Sequence, residues 1–166
     1  MLLNELLTDA FERIKEVVHQ TVEGLSAGDL TFRPDSAGNS IGWLVWHLTR
    51  IQDDHISDAR QSEQLWSSAW FDKFGLPLDK DDTGYGHTSA QAASVKATAE
   101  LLLGYYDAVH AATVKYIDGL KEEDYDRVVD TRWDPPVTLA VRLVSVISDD
   151  LQHAGQAAYV KGLLQA

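Results

Sequence analysis

The sequence predicts an all-α fold, a four-helix bundle made of two helical hairpins with a long connection between the second and third helices. Three observations carry this. Apolar residues recur at spacings of three and four in four long stretches, the interruptions are rich in Gly, Pro, Ser and Asp, and no stretch alternates convincingly like a half-buried strand. With 166 residues, 45% of them hydrophobic, the chain supports one core, and residues 1–166 read as a single domain.

The first helix is carried by Leu6, Ala10, Phe11, Ile14, Val17, Val18 and Val22 and is expected to end near Gly24. Residues 25–39 turn to Ser, Gly, Asp and Pro, so a loop is expected there, with Asn39 or Ser40 capping a second helix over about Ser40–Arg60. A short helical piece around Ser62–Trp70 leads into a loop, Phe71–Thr88, long enough to be functional. Thr88 or Ser89 then caps a third helix, expected to run through Ala92, Val95, Leu102, Tyr105, Val109 and Ile117 to Gly119. The fourth opens after Trp133-Asp134-Pro135-Pro136, with Asp134 as its cap and a proline in its first turn, and continues to the C-terminus. Gly24-Leu25 with Asp29-Leu30, and Gly119-Leu120 with Asp124-Tyr125, form a weak internal echo that fits two related hairpins.

Fourteen Lys and Arg stand against twenty-six Asp and Glu, a formal net charge of -12 that repels phosphate backbones and anionic headgroups. Neither nucleic acid nor a membrane surface is expected as a partner. No signal peptide or membrane-spanning run is visible, so a cytoplasmic location is expected. The chain has no cysteine, which excludes disulfides, thiolate zinc sites and a thiol nucleophile of its own. Any thiol chemistry must use a thiol from outside.

The fourth helix is the informative one. From Val137 to Leu164 its only charged residues are Arg142, Asp149, Asp150 and Lys161, so it is expected to be buried on most sides, with Leu143, Ile147, Leu151, Ala154 and Ala158 as its main apolar face. Arg142, Asp149, His153 and Gln156 line up on a different side. A carboxylate and an imidazole four residues apart stand one above the other, so Asp149 and His153 can converge on one ion or simply bond to each other. Asp150 is a substitute ligand three residues from His153. On the second helix His47 sits within the apolar run Ile41–Leu48, where its ring needs a partner, a carboxylate, a carbonyl or a metal. His55 lies about 12 Å further along the axis, too far to share an ion with His47. His19 and His110 read as surface or packing residues. Trp43 can wall a pocket beside His47, and His87 lies in a Gly-rich loop that could fold over the bundle mouth. Two imidazoles and a carboxylate suit a divalent ion, Zn foremost, with Ni, Fe, Mn or Co as alternatives, and leave positions open for water or substrate.

The segments Asn39-Ser40-Ile41-Gly42-Trp43-Leu44-Val45-Trp46-His47-Leu48 and Ser148-Asp149-Asp150-Leu151-Gln152-His153-Ala154-Gly155-Gln156 resemble the two signature segments of the DinB-like superfamily. The loop Thr83-Gly84-Tyr85-Gly86-His87 and the stretch Trp133–Pro136 extend the resemblance to an uncharacterised actinobacterial branch, over nearly the full chain. The resemblance implies a four-helix bundle with one metal held by a histidine of the second helix and two residues four apart on the fourth: His47, Asp149 and His153. Many members carry two histidines on the fourth helix; Asp149 departs from that, in the manner of mycothiol-dependent maleylpyruvate isomerases.

The resemblance further implies metal-dependent S-transfer or isomerisation with a low-molecular-weight thiol, mycothiol, and an electrophilic substrate. Trp43, His87, Arg142 and Gln156 are then the candidates to bind the thiol cofactor. Two other readings use the same residues: a hydrolase with metal-bound water, and a non-enzymatic metal-binding or stress-response bundle. A homodimer is compatible with all three.

Overall fold

A computed structural model describes residues 2–165. Its helices are α1 (Leu3–Val22), α2 (Ala27–Thr31), α3 (Ile41–Ala59), α4 (Phe71–Phe74), α5 (Ser89–Ser94), α6 (Ala99–Asp118) and α7 (Leu139–Leu164). The four long ones, α1, α3, α6 and α7, form the bundle expected from the periodicity. α7 packs on α3 and α1, and α6 packs on the same two, so α1 stands diagonally across from α3 and α6 from α7.

Three of the four long helices start where a hydroxyl can satisfy an orphan amide, whereas at the start of α1 the Leu2 amide donates to Glu5 Oε2. Ser40 Oγ accepts from the Trp43 amide, Thr98 Oγ1 from Leu101 and Thr138 Oγ1 from Val141. Phe11, Ile14 and Val18 of α1, Leu44, Val45 and Leu48 of α3, Leu102, Tyr105 and Val109 of α6, and Leu143 and Val146 of α7 are buried together in one core. Full burial of such side chains is worth about 1.5–3 kcal/mol each before conformational entropy is set against it.

The connections depart from expectation in ways that have local causes. The third predicted helix is two: it breaks after Ser94 because Val95 is extended and Thr98, read as a helix-interior residue, caps a new helix instead. The fourth begins at Leu139 and not at Pro135. Strand β1 (Val128–Asp130) pairs antiparallel with β2 (Val137–Thr138) as a small sheet, so Trp133–Pro136 lies in the turn of a hairpin and Thr138 takes the capping role expected of Asp134. Residues 25–39 are not all loop, since Ser26 and Asp29 form a reciprocal capping box that opens α2.

After α3 the chain turns, and residues 62–64, expected to be helical, are irregular; helix resumes at Leu65 and runs to Phe74 through a π-helical turn at Trp66–Trp70 and then α4. Buried Asp53 fixes that turn, accepting from the amides of Leu65 and Trp66 at 3.1 and 2.7 Å and from the Tyr105 hydroxyl at 2.8 Å. The Arg50 guanidinium lies 5.0 Å over the Trp66 ring. α7 also differs from its expected burial. Leu143, Val146, Asp150, Ala154 and Ala157 face inward, while Val141, Val144, Leu151, Tyr159 and Leu163 are exposed.

Candidate metal centre

His47 lies two turns into α3 and is 5% exposed. Its Nδ1 donates to the Thr83 carbonyl at 2.6 Å, which fixes the proton on Nδ1 and leaves Nε2 as the free lone pair. Trp43, one turn earlier, stacks on the His47 ring with centroids 4.6 Å apart and planes 14° from parallel. The His153 ring of α7 meets His47 edge-on at 4.7 Å. His153 Nδ1 donates to Gln156 Oε1 at 2.9 Å, so here too Nε2 is the nitrogen left over, 3.6 Å from Asp149 Oδ1.

One ligand atom from each of His47, Asp149 and His153 lies within 4.8 Å of the others, the single such trio found among the described residues. Two further observations show that the trio fits a divalent cation. Asp149 Oδ2 is buried with no hydrogen-bond partner among the described residues, and both imidazoles turn their unprotonated nitrogen toward the same point. Burial pushes the His47 imidazole below its ordinary pKa, with His153 adding to this and the Thr83 carbonyl opposing it, which favours the neutral, ligating form. At Asp149 burial works against ionisation, but the His153 bond and the charges of His153 and His47 hold the carboxyl below its usual value. His153 shows the converse: burial opposes its protonation, and the bonds to Asp149 and Gln156 outweigh it and raise the pKa. The pocket attracts positive charge, a proton in the absence of anything better.

A loop holds this arrangement from above. Arg50 Nε donates to the Asp82 carbonyl, while Asp82 Oδ1 accepts from the Gly84 amide and from His87 Nε2 at 2.9 and 2.8 Å. Trp43 Nε1 donates to His87 Nδ1 at 3.0 Å. Both nitrogens of His87 are thus in internal bonds, and its side chain is 4% exposed. Gly84 has φ +91°, and a Cβ there would stand 2.8 Å from His47 Nδ1. Only glycine lets the loop come close enough for the Thr83 bond.

Of the residues singled out in the sequence, His47, Asp149, His153, Trp43 and Gln156 meet at this point. Arg142 does not: it is buried further along the α3/α7 seam, donating to Asp130 Oδ2 at 2.8 Å and approaching His55 Nδ1 at 3.4 Å. Asp150 is not a substitute ligand, because its side chain faces the core, fully buried and apart from the trio. Thr83 and Asp82 were missed; a backbone carbonyl that orients a ligand leaves no mark in a sequence, although the Gly84 and Gly86 pair marked the loop.

A family model described as mycothiol-S-transferase matches residues 6–166. The chain belongs to that family. The match agrees with the DinB-like resemblance carried by the His47 and His153 segments. The crystal structure of a conserved protein from Enterococcus faecalis is similar at 37% identity and a TM-score of 0.90, with 97% of this chain and 96% of that one covered. No curated protein matches the chain. No helix among the described residues is long and apolar enough to cross a membrane.

Proposed function

We propose that this member of the mycothiol S-transferase family binds one divalent metal through His47, Asp149 and His153 and uses mycothiol as the nucleophile in a cytoplasmic S-transfer or isomerisation. The observation that carries the reading is the trio of converging ligand atoms within 4.8 Å in a chain of this family. The absence of cysteine supports it, since the protein has no sulfur nucleophile of its own.

A divalent ion so held lowers the pKa of a thiol brought to it, so that the sulfur is present as thiolate at neutral pH. The chain's own residues supply the rest. Thr83 and Gln156 fix the two imidazoles in the ligating tautomer, and Trp43 excludes water from one side of His47. Asp149 and His153 keep partial exposure, 35% and 20%, which leaves the approach for thiol and electrophile on the α7 side. In the transfer the S–H proton leaves to solvent, the sulfur forms its new bond to the electrophilic carbon, and the bond from that carbon to its leaving group breaks, the leaving group departing to solvent with the electron pair.

Turnover of a test electrophile should require both metal and mycothiol and should vanish in His153→Ala while the helical circular-dichroism signal survives. Hydrolysis of an ester or amide by metal-loaded protein that ignores mycothiol and other small thiols would replace this reading with one based on bound water.

A further inference from the structure

The outer side of α7 is exposed along the whole helix and carries no charged residue, in a chain whose net charge is -12. Val141, Val144 and Leu151 on that side are between 47% and 61% exposed, and Ser148, Gly155 and Ala158 lie in line with them. The six follow one another in steps of three and four, the seven-residue repeat of a helix that packs along a second helix. α1 and α3 cover the other sides of α7 and leave this one open.

Gly155 lies in the middle of the stripe, and a Cβ there would meet nothing within 4 Å among the described residues. Glycine weakens a helix interior relative to alanine, and no neighbour within the chain requires it at this position. Its use is the close approach of a backbone from outside. Bulk also falls along the stripe, from Val141, Val144 and Leu151 to Gly155 and Ala158. Laid antiparallel on a copy of itself, with the twofold axis between the levels of Asp149 and Asp150, the stripe sets Val141 on the partner's Ala158, Val144 on the partner's Gly155 and Leu151 on the partner's Ser148. Each large side chain then fills the space left by a small one, whereas a parallel pair would stack Gly155 on Gly155 and leave a gap.

The extent and charge of the face fit the same occupant. Lys161 Nζ donates to the Gln20 carbonyl, so α1 and α7 run parallel, and Leu6, exposed on the Gln20 side of α1, lies level with Ile147 and widens the apolar surface. The 26 residues of α7 span about 39 Å, and a face two helices wide covers about 800 Å² per copy, the size of a stable interface. An uncharged face gives a charged partner nothing to pair with, and the net charge opposes an anionic lipid surface. A second copy brings the same uncharged stripe. We infer that the outer face of α7 is the interface of a twofold homodimer, its two α7 helices antiparallel and closest at Gly155.

Sedimentation equilibrium of the full chain should give twice the 18.4 kDa monomer mass at micromolar concentration. Leu151→Glu and Gly155→Leu should each weaken association by about 30-fold or more with the helical circular-dichroism signal kept. Val128→Glu, at an exposed valine of β1 outside the face, should leave association unchanged. Gly155→Ala should raise the melting temperature of the diluted monomer and yet weaken the dimer. Because the chain has no cysteine, introduced thiols report the orientation: a mixture of Val144→Cys and Gly155→Cys chains should form an inter-chain disulfide on mild oxidation, and Gly155→Cys alone should not. A wild-type monomer at every soluble concentration overturns the proposal, as does a monomer that floats with phosphatidylcholine vesicles, which gives the face to lipid. A dimer indifferent to both Leu151→Glu and Gly155→Leu, or Gly155→Cys cross-linked to itself, overturns it equally.

Discussion

Asp149 and Asp150 are consecutive on α7, one 100° step apart, and they look into different halves of the bundle. Asp149 faces the α3/α7 seam with two imidazoles beside it and solvent on one side, and its carboxyl is held below the ordinary pKa. Asp150 faces the core toward Tyr106, fully buried. Neither of its oxygens has a hydrogen-bond partner among the described residues, nor has the Tyr106 hydroxyl. Burial, with the Asp149 charge, pushes the Asp150 carboxyl well above its ordinary value. One residue type is thus shifted in opposite directions within a single turn of helix. A carboxylate becomes a ligand only where groups that share positive charge surround it; without them it stays a neutral acid.

The largest effect that sharpens this contrast is metal loss. His47→Ala or His153→Ala should reduce metal affinity by more than about 100-fold, beyond what removal of an outer hydrogen-bond partner does. His55→Ala and Asp150→Asn should leave affinity close to wild type in a chelator competition. Full occupancy in both His47→Ala and His153→Ala would break the comparison at its root.

A smaller effect is expected at Gln156, whose bond to His153 Nδ1 sets the ring orientation. Gln156→Ala should weaken metal binding about tenfold with ligands unchanged. The same competition assay detects it, and an unaltered affinity would mean that packing against Trp43 and His47 alone orients the ring.

The smallest effect lies at Asp150 and is read as stability against pH. Its folded pKa is above the unfolded value of about 3.9, so the folded state holds the proton more tightly. Stability from this group is therefore greatest below about pH 4 and declines as pH rises toward the folded pKa. Asp150→Asn removes that decline, and urea unfolding should show the variant gaining on wild type as pH rises from 4 to 7. A gap that does not widen with pH would show Asp150 ionised in the core.

The helices were legible because periodicity and caps are local: Ser40 and Thr88 hold the amides that their positions suggested. Thr98 was not, since a threonine among alanines reads as helix interior until Val95 is seen to be extended. The α7 wheel misassigned Leu151 and Ala158, because the helix buries the side that α1 and α3 happen to cover, and a wheel carries no knowledge of neighbours. The trio was legible as a spacing on α7 and an isolated polar residue on α3. The contacts that orient it, Thr83 to His47 and Asp82 to His87, depend on a loop path that sequence does not encode by residue type.

That loop path carries a thermodynamic consequence. The Thr83 carbonyl reaches His47 because Gly84 has no Cβ to keep it away, so one hydrogen bond belongs both to the loop's closed conformation and to the ligand's orientation. By reciprocity, whatever free energy the ordered loop lends to metal binding, metal binding returns to the ordering of residues 82–87. With a metal held as proposed, loading should shield the Gly84 and His87 amides, which bond to Asp82 Oδ1 and the Gly84 carbonyl, from hydrogen exchange.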